Sequence, residues 1–283
     1  MAEQTHRYRY DELTWEEMRQ AIAESRLVLI PFGAVEDHGP HLPLNTDNVI
    51  VEAICLEAAR RATGEVLVTP LISFGLDEHH MDFPGTITIP IEPLIAYVAN
   101  VAISVARHGF THILIANGHG SNRPIADLAA RKTVLATGAV CGVVAPNAAV
   151  SKVLAEPVVS QERRSTPGGI AHAGEYETSM MLHLRPDLVQ MERAVKENRQ
   201  IKQKYFNWDY PEPSAVTWND WWSRMSASGV CGDPTVATAE FGARLFETTV
   251  NNLVELAREF RGIPVRPRLD LHSDDLRHER EME

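Results

Sequence analysis

The sequence predicts an α/β protein built on a parallel or mostly parallel sheet with helices on both faces. Two patterns carry that expectation. Short apolar runs alternate with longer amphipathic segments, the order of repeated strand–helix units. The apolar runs are also continuous, as in Leu-Val-Leu-Ile at 27–30 and His-Ile-Leu-Ile-Ala at 112–116. A strand that alternates apolar and polar residues has one wet face, whereas an unbroken run is buried on both. With 44% hydrophobic residues the 283-residue chain can bury such a sheet.

Taken in order, Leu27–Ile30 reads as the first strand. Asn48–Ala62 follows as a helix, with Asp47 or Asn48 near its N-cap. Val66–Thr69 is the second strand, and Glu92–Arg107 the next helix, with Gly109 as its stop. His112–Ala116 is the third strand, Arg123–Ala136 the helix after it, and Ala139–Ala145 the fourth strand. Glu175–Leu184 and Ala237–Phe260 complete the helices. No internal repeat occurs, and no linker-like stretch precedes residue 190, so residues 1–261 read as a single α/β domain. Residues 191–234 hold Trp208, Trp218, Trp221 and Trp222, four of the five tryptophans, among Pro, Ser and Asn. That length and aromatic content suit a lid or an oligomer contact better than a plain connector. Residues 262–283 are charged and read as a loose tail or docking arm.

Bulk properties exclude several functions. A formal charge of −11 with no basic stripe opposes nucleic-acid binding, which needs excess Lys and Arg to neutralise phosphates. No apolar run approaches a membrane span, and the charged N-terminal segment has no signal-like apolar stretch. The three cysteines, Cys55, Cys141 and Cys231, are widely spaced and form no Cys-x-x-Cys, which fits a reducing compartment and opposes a thiolate zinc knot. A cytoplasmic protein acting on a small molecule is the expectation.

The chemistry concentrates in three polar loops at the ends of apolar segments. The first runs from Pro31 to Asp47 and carries Glu36, His38, His41 and Asp47. Carboxylates with imidazoles suit a divalent ion such as Zn²⁺ or Mn²⁺. Glu36 and His38 are two apart, so an extended chain turns both to one side. Asp47, at the start of the next helix, is placed to bridge two ions. The plainer alternative is a surface ion pair plus a helix cap. The second loop, Asn117-Gly-His-Gly-Ser-Asn122, places His119 between two glycines; Arg123 stands where a dinucleotide fingerprint needs its third glycine. The third, His172-Ala-Gly-Glu-Tyr-Glu-Thr-Ser179, offers His172 and Glu175 three residues apart, and Glu177 as either a functional or a capping residue. Asp77-Glu-His-His80 is a further pocket candidate, although His80 alone suits a structural role equally. No Gly-x-Ser-x-Gly, Walker loop or His-Glu-x-x-His occurs.

These residues resemble one family. Gly33-x-x-Glu36-x-His38-Gly-Pro-His-Leu-Pro-Leu-x-Thr-Asp47, Phe83-Pro-Gly-Thr86, Asn117-Gly-His-Gly-x-Asn122, His172-Ala-Gly-Glu-x-Glu-Thr-Ser179 and Gly232-Asp-Pro-Thr-x-Ala-Thr-Ala239 are similar, in order, to motifs of the creatininase family. The resemblance implies a three-layer αβα sandwich, two Zn²⁺ or Mn²⁺ ions per chain and a homo-oligomer, commonly a hexamer. It implies a hydrolase in which a metal-activated water attacks a carbonyl of a small cyclic or polar substrate, an amide, a formamide or a cyclic polyol ketone. By position, Glu36, Asp47 and His119 would hold one ion, and His38 and Asp47 the other, with Glu175 as the last ligand. His172 would transfer the proton, and His80, Ser121 and Trp221 would contact substrate. The chain departs from the family pattern at Asp37, where glutamine is usual, and at Asp77 and His79, where Ser and Glu are common. Ser121 stands where creatininase proper has a glutamate, and Gly168 where it has a stacking tryptophan.

Overall fold

The computed structural model describes residues 7–146, 154–197, 205, 215–216, 218–269 and 271. Trp208, other parts of the tryptophan-rich segment, and residues 270 and 272–283 of the charged C-terminal segment lie outside the described residues. The elements run α1 (Trp15–Ala23), β1 (Leu27–Phe32), α2 (Thr46–Arg61), β2 (Val66–Val68), α3 (Ile91–Arg107), β3 (His112–Asn117), α4 (Arg123–Thr137) and β4 (Val140–Val144). They continue as α5 (Val158–Glu162), α6 (Glu175–Leu184), α7 (Trp222–Met225) and α8 (Ala239–Arg261).

The four strands form one all-parallel sheet in the order β2-β1-β3-β4. Side chains alternate across it; β1, β2 and β3 are buried on both faces, and the edge strand β4 is partly exposed. Leu27 and Leu29 of β1, Val66 and Val68 of β2, and Leu114 and Ala116 of β3 join one core with α2, α6 and α8. Val28, Ile30, Phe32, Leu67, Ile113 and Ile115 point the other way, into a second core with α3, α4 and Ala21 of α1. Continuous apolar strands therefore mean what the sequence implied: two helical layers enclosing the sheet. Burying each of these Leu or Ile side chains contributes roughly 1.5–3 kcal/mol.

Helix α1 had no counterpart in the sequence reading, because residues 1–19 stand out there only by their charge. Its signal was a capping box. Glu17 N–H donates to Thr14 Oγ1 (3.3 Å), and Thr14 N–H donates back to Glu17 Oε2 (2.7 Å). Met18, Ala21 and Ile22 then turn one face inward. Among the described residues no helix is long and apolar enough to cross a membrane.

The strand order fixes where a ligand can sit. From β1 the chain crosses to β2 on one side and returns to β3 on the other, so β1 and β3 flank the point at which the order reverses. The carboxyl ends of the strands at such a point form the usual binding crevice. Here Phe32 and Asn117 pair in register, and Gly118 N–H donates to Phe32 O at 2.8 Å. A Cβ on Gly118 would fall 2.7 Å from Val51 Cβ and 3.2 Å from Asp47 O. Glycine at 118 thus lets the first turns of α2, with Asp47, close onto the ends of β1 and β3.

Candidate metal centre

Glu36 and His38 lie just past β1, on a stretch tied down by Glu36 N–H to Leu44 O (3.1 Å) and Asp37 N–H to Thr86 Oγ1 (3.3 Å). His38 donates its Nδ1–H to the Glu36 carbonyl (3.2 Å), which turns Nε2 inward. There it faces Asp47 Oδ1 and Glu177 Oε2, each at 3.6 Å, and Glu36 Oε1 at 3.9 Å. His119 comes from the end of β3, on a loop pinned by Asn117, whose Nδ2 donates to His119 O (2.8 Å). Its Nδ1 stands 3.1 Å from both Glu36 Oε1 and Asp47 Oδ2. All of these side chains are buried.

The site has the electrostatics of a cation pocket. Burial lowers the pKa of His38, but Asp47, Glu177 and Glu36 outweigh it and raise the group to about 10. Burial opposes charge on His119 as well, and Glu36, Asp77 and Asp47 again raise it well above the ordinary range. Asp47 is held below the usual carboxylate range by His38 and His119 despite its burial. Both Glu36 oxygens, Asp47 Oδ2 and His38 Nε2 are buried without a hydrogen-bond partner. Each such orphan costs about 1–3 kcal/mol, so four in one place call for a ligand. Four triplets, Glu36–His38–Asp47, His38–His172–Glu177, Glu36–His80–His172 and Glu36–His79–His119, each have donor atoms all within 4.8 Å of one another. A donor set of carboxylates and imidazoles without thiolate fits Zn²⁺ or Mn²⁺.

On the outer side of Glu36 stand two more histidines. His172 donates its Nε2–H to Asp37 O (2.8 Å), which leaves the Nδ1 lone pair facing Glu36 Oε1 at 3.6 Å. Burial, and then His38 nearby, lower its pKa well below the ordinary value, so the ring is neutral. His80 Nδ1 hydrogen-bonds Asp37 Oδ2, and its Nε2 lies 3.2 Å from Glu36 Oε2. Burial pushes the Asp37 carboxyl up to about 7. Trp222 covers both rings: it stacks on His80 (4.7 Å, 24°) and meets His172 edge-on (4.7 Å, 73°). Its indole N–H donates to Gly229 O at 3.1 Å. Gly229 has φ +84°, and a Cβ there would lie 2.0 Å from Asp37 Oδ1, so glycine is required.

The structure brings Glu36, His38, Asp47, His119, His172 and His80 together. It does not bring Glu175, expected as the last ligand. Gly174 precedes α6, which begins at Glu175, and residues two apart on a helix point about 200° apart. Glu175 therefore faces the preceding loop, where its two oxygens accept from Arg164 N–H (2.7 Å) and Ser165 N–H (2.8 Å). Glu177 faces the cluster instead, its Oε2 also accepting from Ala173 N–H at 2.7 Å. Trp221 is 39% exposed, while its neighbour Trp222, 4% exposed, is the tryptophan that covers the histidines. Ser121 Oγ hydrogen-bonds His79 Nε2 (3.0 Å), and His41 Nε2 hydrogen-bonds Thr178 Oγ1 (2.9 Å), which ties the first loop to α6.

A cluster of carboxylates and imidazoles at the reversal point of a parallel αβα sheet defines a candidate metal pocket. The family model for creatinine amidohydrolase matches residues 11–257, and the chain belongs to the creatininase family, whose members are hydrolases. A mycofactocin precursor peptide peptidase of Mycobacterium tuberculosis (strain CDC 1551 / Oshkosh) is 33% identical over 244 residues, 83% of this chain and 86% of that protein. A solved creatininase variant of Zn–Zn type superposes with a TM-score of 0.74 at 26% identity, covering 90% of this chain and 99% of that one. A manganese creatininase superposes at 0.73 and 28% identity, with the same coverage.

Proposed function

We propose that the chain is a two-ion hydrolase that cleaves the carbonyl–nitrogen bond of a small polar amide. One observation carries the reading. The two oxygens of Asp47 face different histidines, Oδ1 toward His38 Nε2 (3.6 Å) and Oδ2 toward His119 Nδ1 (3.1 Å). A single buried carboxylate so placed serves two ions. Glu36, Asp47 and His119 would hold one, and His38, Asp47 and Glu177 the other, as Zn²⁺ or Mn²⁺. When bound, such ions acidify a water and polarise a carbonyl oxygen. His172 Nδ1, 3.6 Å from Glu36 Oε1, is placed to take up a proton and deliver it to the leaving nitrogen. Trp222 and His80 wall that side against bulk water, which strengthens the electrostatics within.

The ligand assignment separates two glutamates. Glu177→Gln should lose bound metal, because it removes a charge facing His38. Glu175→Gln should keep the metal and lower the melting temperature, since a carboxamide accepts at one oxygen where the carboxylate accepts at two; the loss is about 1–3 kcal/mol. Elemental analysis with thermal melting checks both, and the opposite pattern would return Glu175 to the ligand set.

Creatinine is expected to be a poor substrate. Gly168 offers no ring to stack on a flat heterocycle, and Ser121 supplies no carboxylate. The resemblance to a peptide peptidase supports an ordinary amide bond in preference to the creatinine ring. Metal-loaded protein assayed by mass spectrometry against creatinine, formamides, small cyclic amides, short peptides and inosose-type ketones tests the reading. Creatinine turnover with kcat/KM above about 10⁴ M⁻¹s⁻¹, the low end for an enzyme on its own substrate, would refute this preference.

A further inference from the structure

We propose that Asp77 is a positioning residue for the metal centre: its carboxylate holds the far nitrogen of His119 and so fixes the nitrogen that His119 presents to the ion. The inference rests on the metal reading above. Asp77 is fully buried, with Oδ1 3.0 Å from His119 Nε2. On the opposite edge of the same ring, Nδ1 faces Glu36 and Asp47. Neither Asp77 oxygen has a hydrogen-bond partner among the described residues, and neither has His119 Nε2, so the 3.0 Å approach is a close charge pair between two otherwise unpartnered groups. Burying a carboxylate costs several kcal/mol unless something compensates, and His119 is the group in reach.

The backbone that carries Asp77 is fastened to the same two strand exits that carry the ligands. Asp77 N–H donates to Thr88 Oγ1 (3.0 Å), and Leu76 N–H donates to Asn122 Oδ1 (2.9 Å). Asn122 Nδ2 in turn donates to Gly33 O (2.9 Å), at the start of the Glu36 loop. The backbone that carries the carboxylate is therefore anchored independently of His119. A histidine whose Nε2–H is committed to a carboxylate has one tautomer, with the Nδ1 lone pair directed at the ion and its basicity raised. A serine at this position could not supply that charge.

The test uses full-length protein with Zn²⁺ and Co²⁺. Affinity is measured by competition with a chromogenic chelator, geometry by the visible spectrum of the Co²⁺ form, and folding by melting of the metal-free protein. Asp77→Asn is expected to weaken one of the two ions by about 10–100-fold and to shift the Co²⁺ bands. Asp77→Glu, which keeps the charge, should recover part of the affinity even if Asp77→Asn folds poorly. In a His119→Gln background, Asp77→Asn should have almost no further effect on metal affinity. Unchanged affinity and Co²⁺ bands in Asp77→Asn, or an equal loss in the His119→Gln background, would overturn the proposal. So would complete loss of one ion, which would make Asp77 a ligand. A wild-type protein that binds no ion would instead sink the metal reading itself, before any variant is compared.

Discussion

Asp47→Asn is expected to leave at most one ion per chain and to lower kcat/KM by about 10³-fold or more, the equivalent of the several kcal/mol that a paired-ion site contributes. The expectation follows from placement. Asp47 is 2% exposed in the first turn of α2, with one oxygen toward the His38 side and the other toward His119. Asparagine keeps the volume but replaces one oxygen with an N–H₂ group that cannot ligate and is repelled by a cation. The pocket then lacks a charge where two ions need it most. Glu36→Ala should be similarly severe, because both of its oxygens are buried without hydrogen-bond partners and face four histidines, His119, His80, His172 and His38. Elemental analysis and steady-state kinetics on the same samples check this. Two ions retained by Asp47→Asn with activity near wild type would mean that Asp47 serves only as a favourable charge in the first turn of α2.

The parts of this molecule legible in the sequence were those encoded by local pattern. Leu27–Ile30 and His112–Ala116 announced strands buried on both faces, because no polar residue interrupts them. The Glu36-x-His38 pair stood out because a loop bounded by proline and glycine had no other evident use for both groups. What escaped depends on rotation and on distant contacts. Whether Glu175 or Glu177 faces His38 turns on the residue at which α6 starts, since two residues reverse the direction of a side chain. Trp221 and Trp222 differ by a single step in a segment without periodicity, so composition could not say which one meets His80. The Asp37–His80 hydrogen bond joins residues 43 apart in the chain, and the Asp77–His119 contact joins two different loops. The first joins the segments that follow β1 and β2, the second those that follow β2 and β3, so both depend on the strand order β2-β1-β3, a fact of topology that no short motif records.

His172→Asn should behave unlike the ligand variants: both ions stay, KM changes little, and kcat falls by roughly 10²–10⁴-fold, the usual contribution of a proton-transfer group. The basis is the direction of the ring. Its Nε2–H is committed to the Asp37 carbonyl at 2.8 Å, so Nδ1 is the nitrogen free to accept, 3.6 Å from Glu36 Oε1. Burial and the surrounding histidines keep that ring neutral, so a proton received there is readily given up again. Asparagine can satisfy the Asp37 carbonyl through its amide but cannot carry a proton. His172 is also within ligand reach of His38 and Glu177, so metal content must be measured beside the rate. An emptied site would make His172 a ligand. Substrates with different leaving groups sharpen the test. If His172 protonates the departing nitrogen, the deficit of His172→Asn should shrink as the leaving amine becomes less basic, because a weakly basic amine departs without help. A deficit that stays constant across such a series would place His172 in orientation of the carbonyl and leave proton delivery to another group, with His80 the nearest alternative on the same side of Glu36.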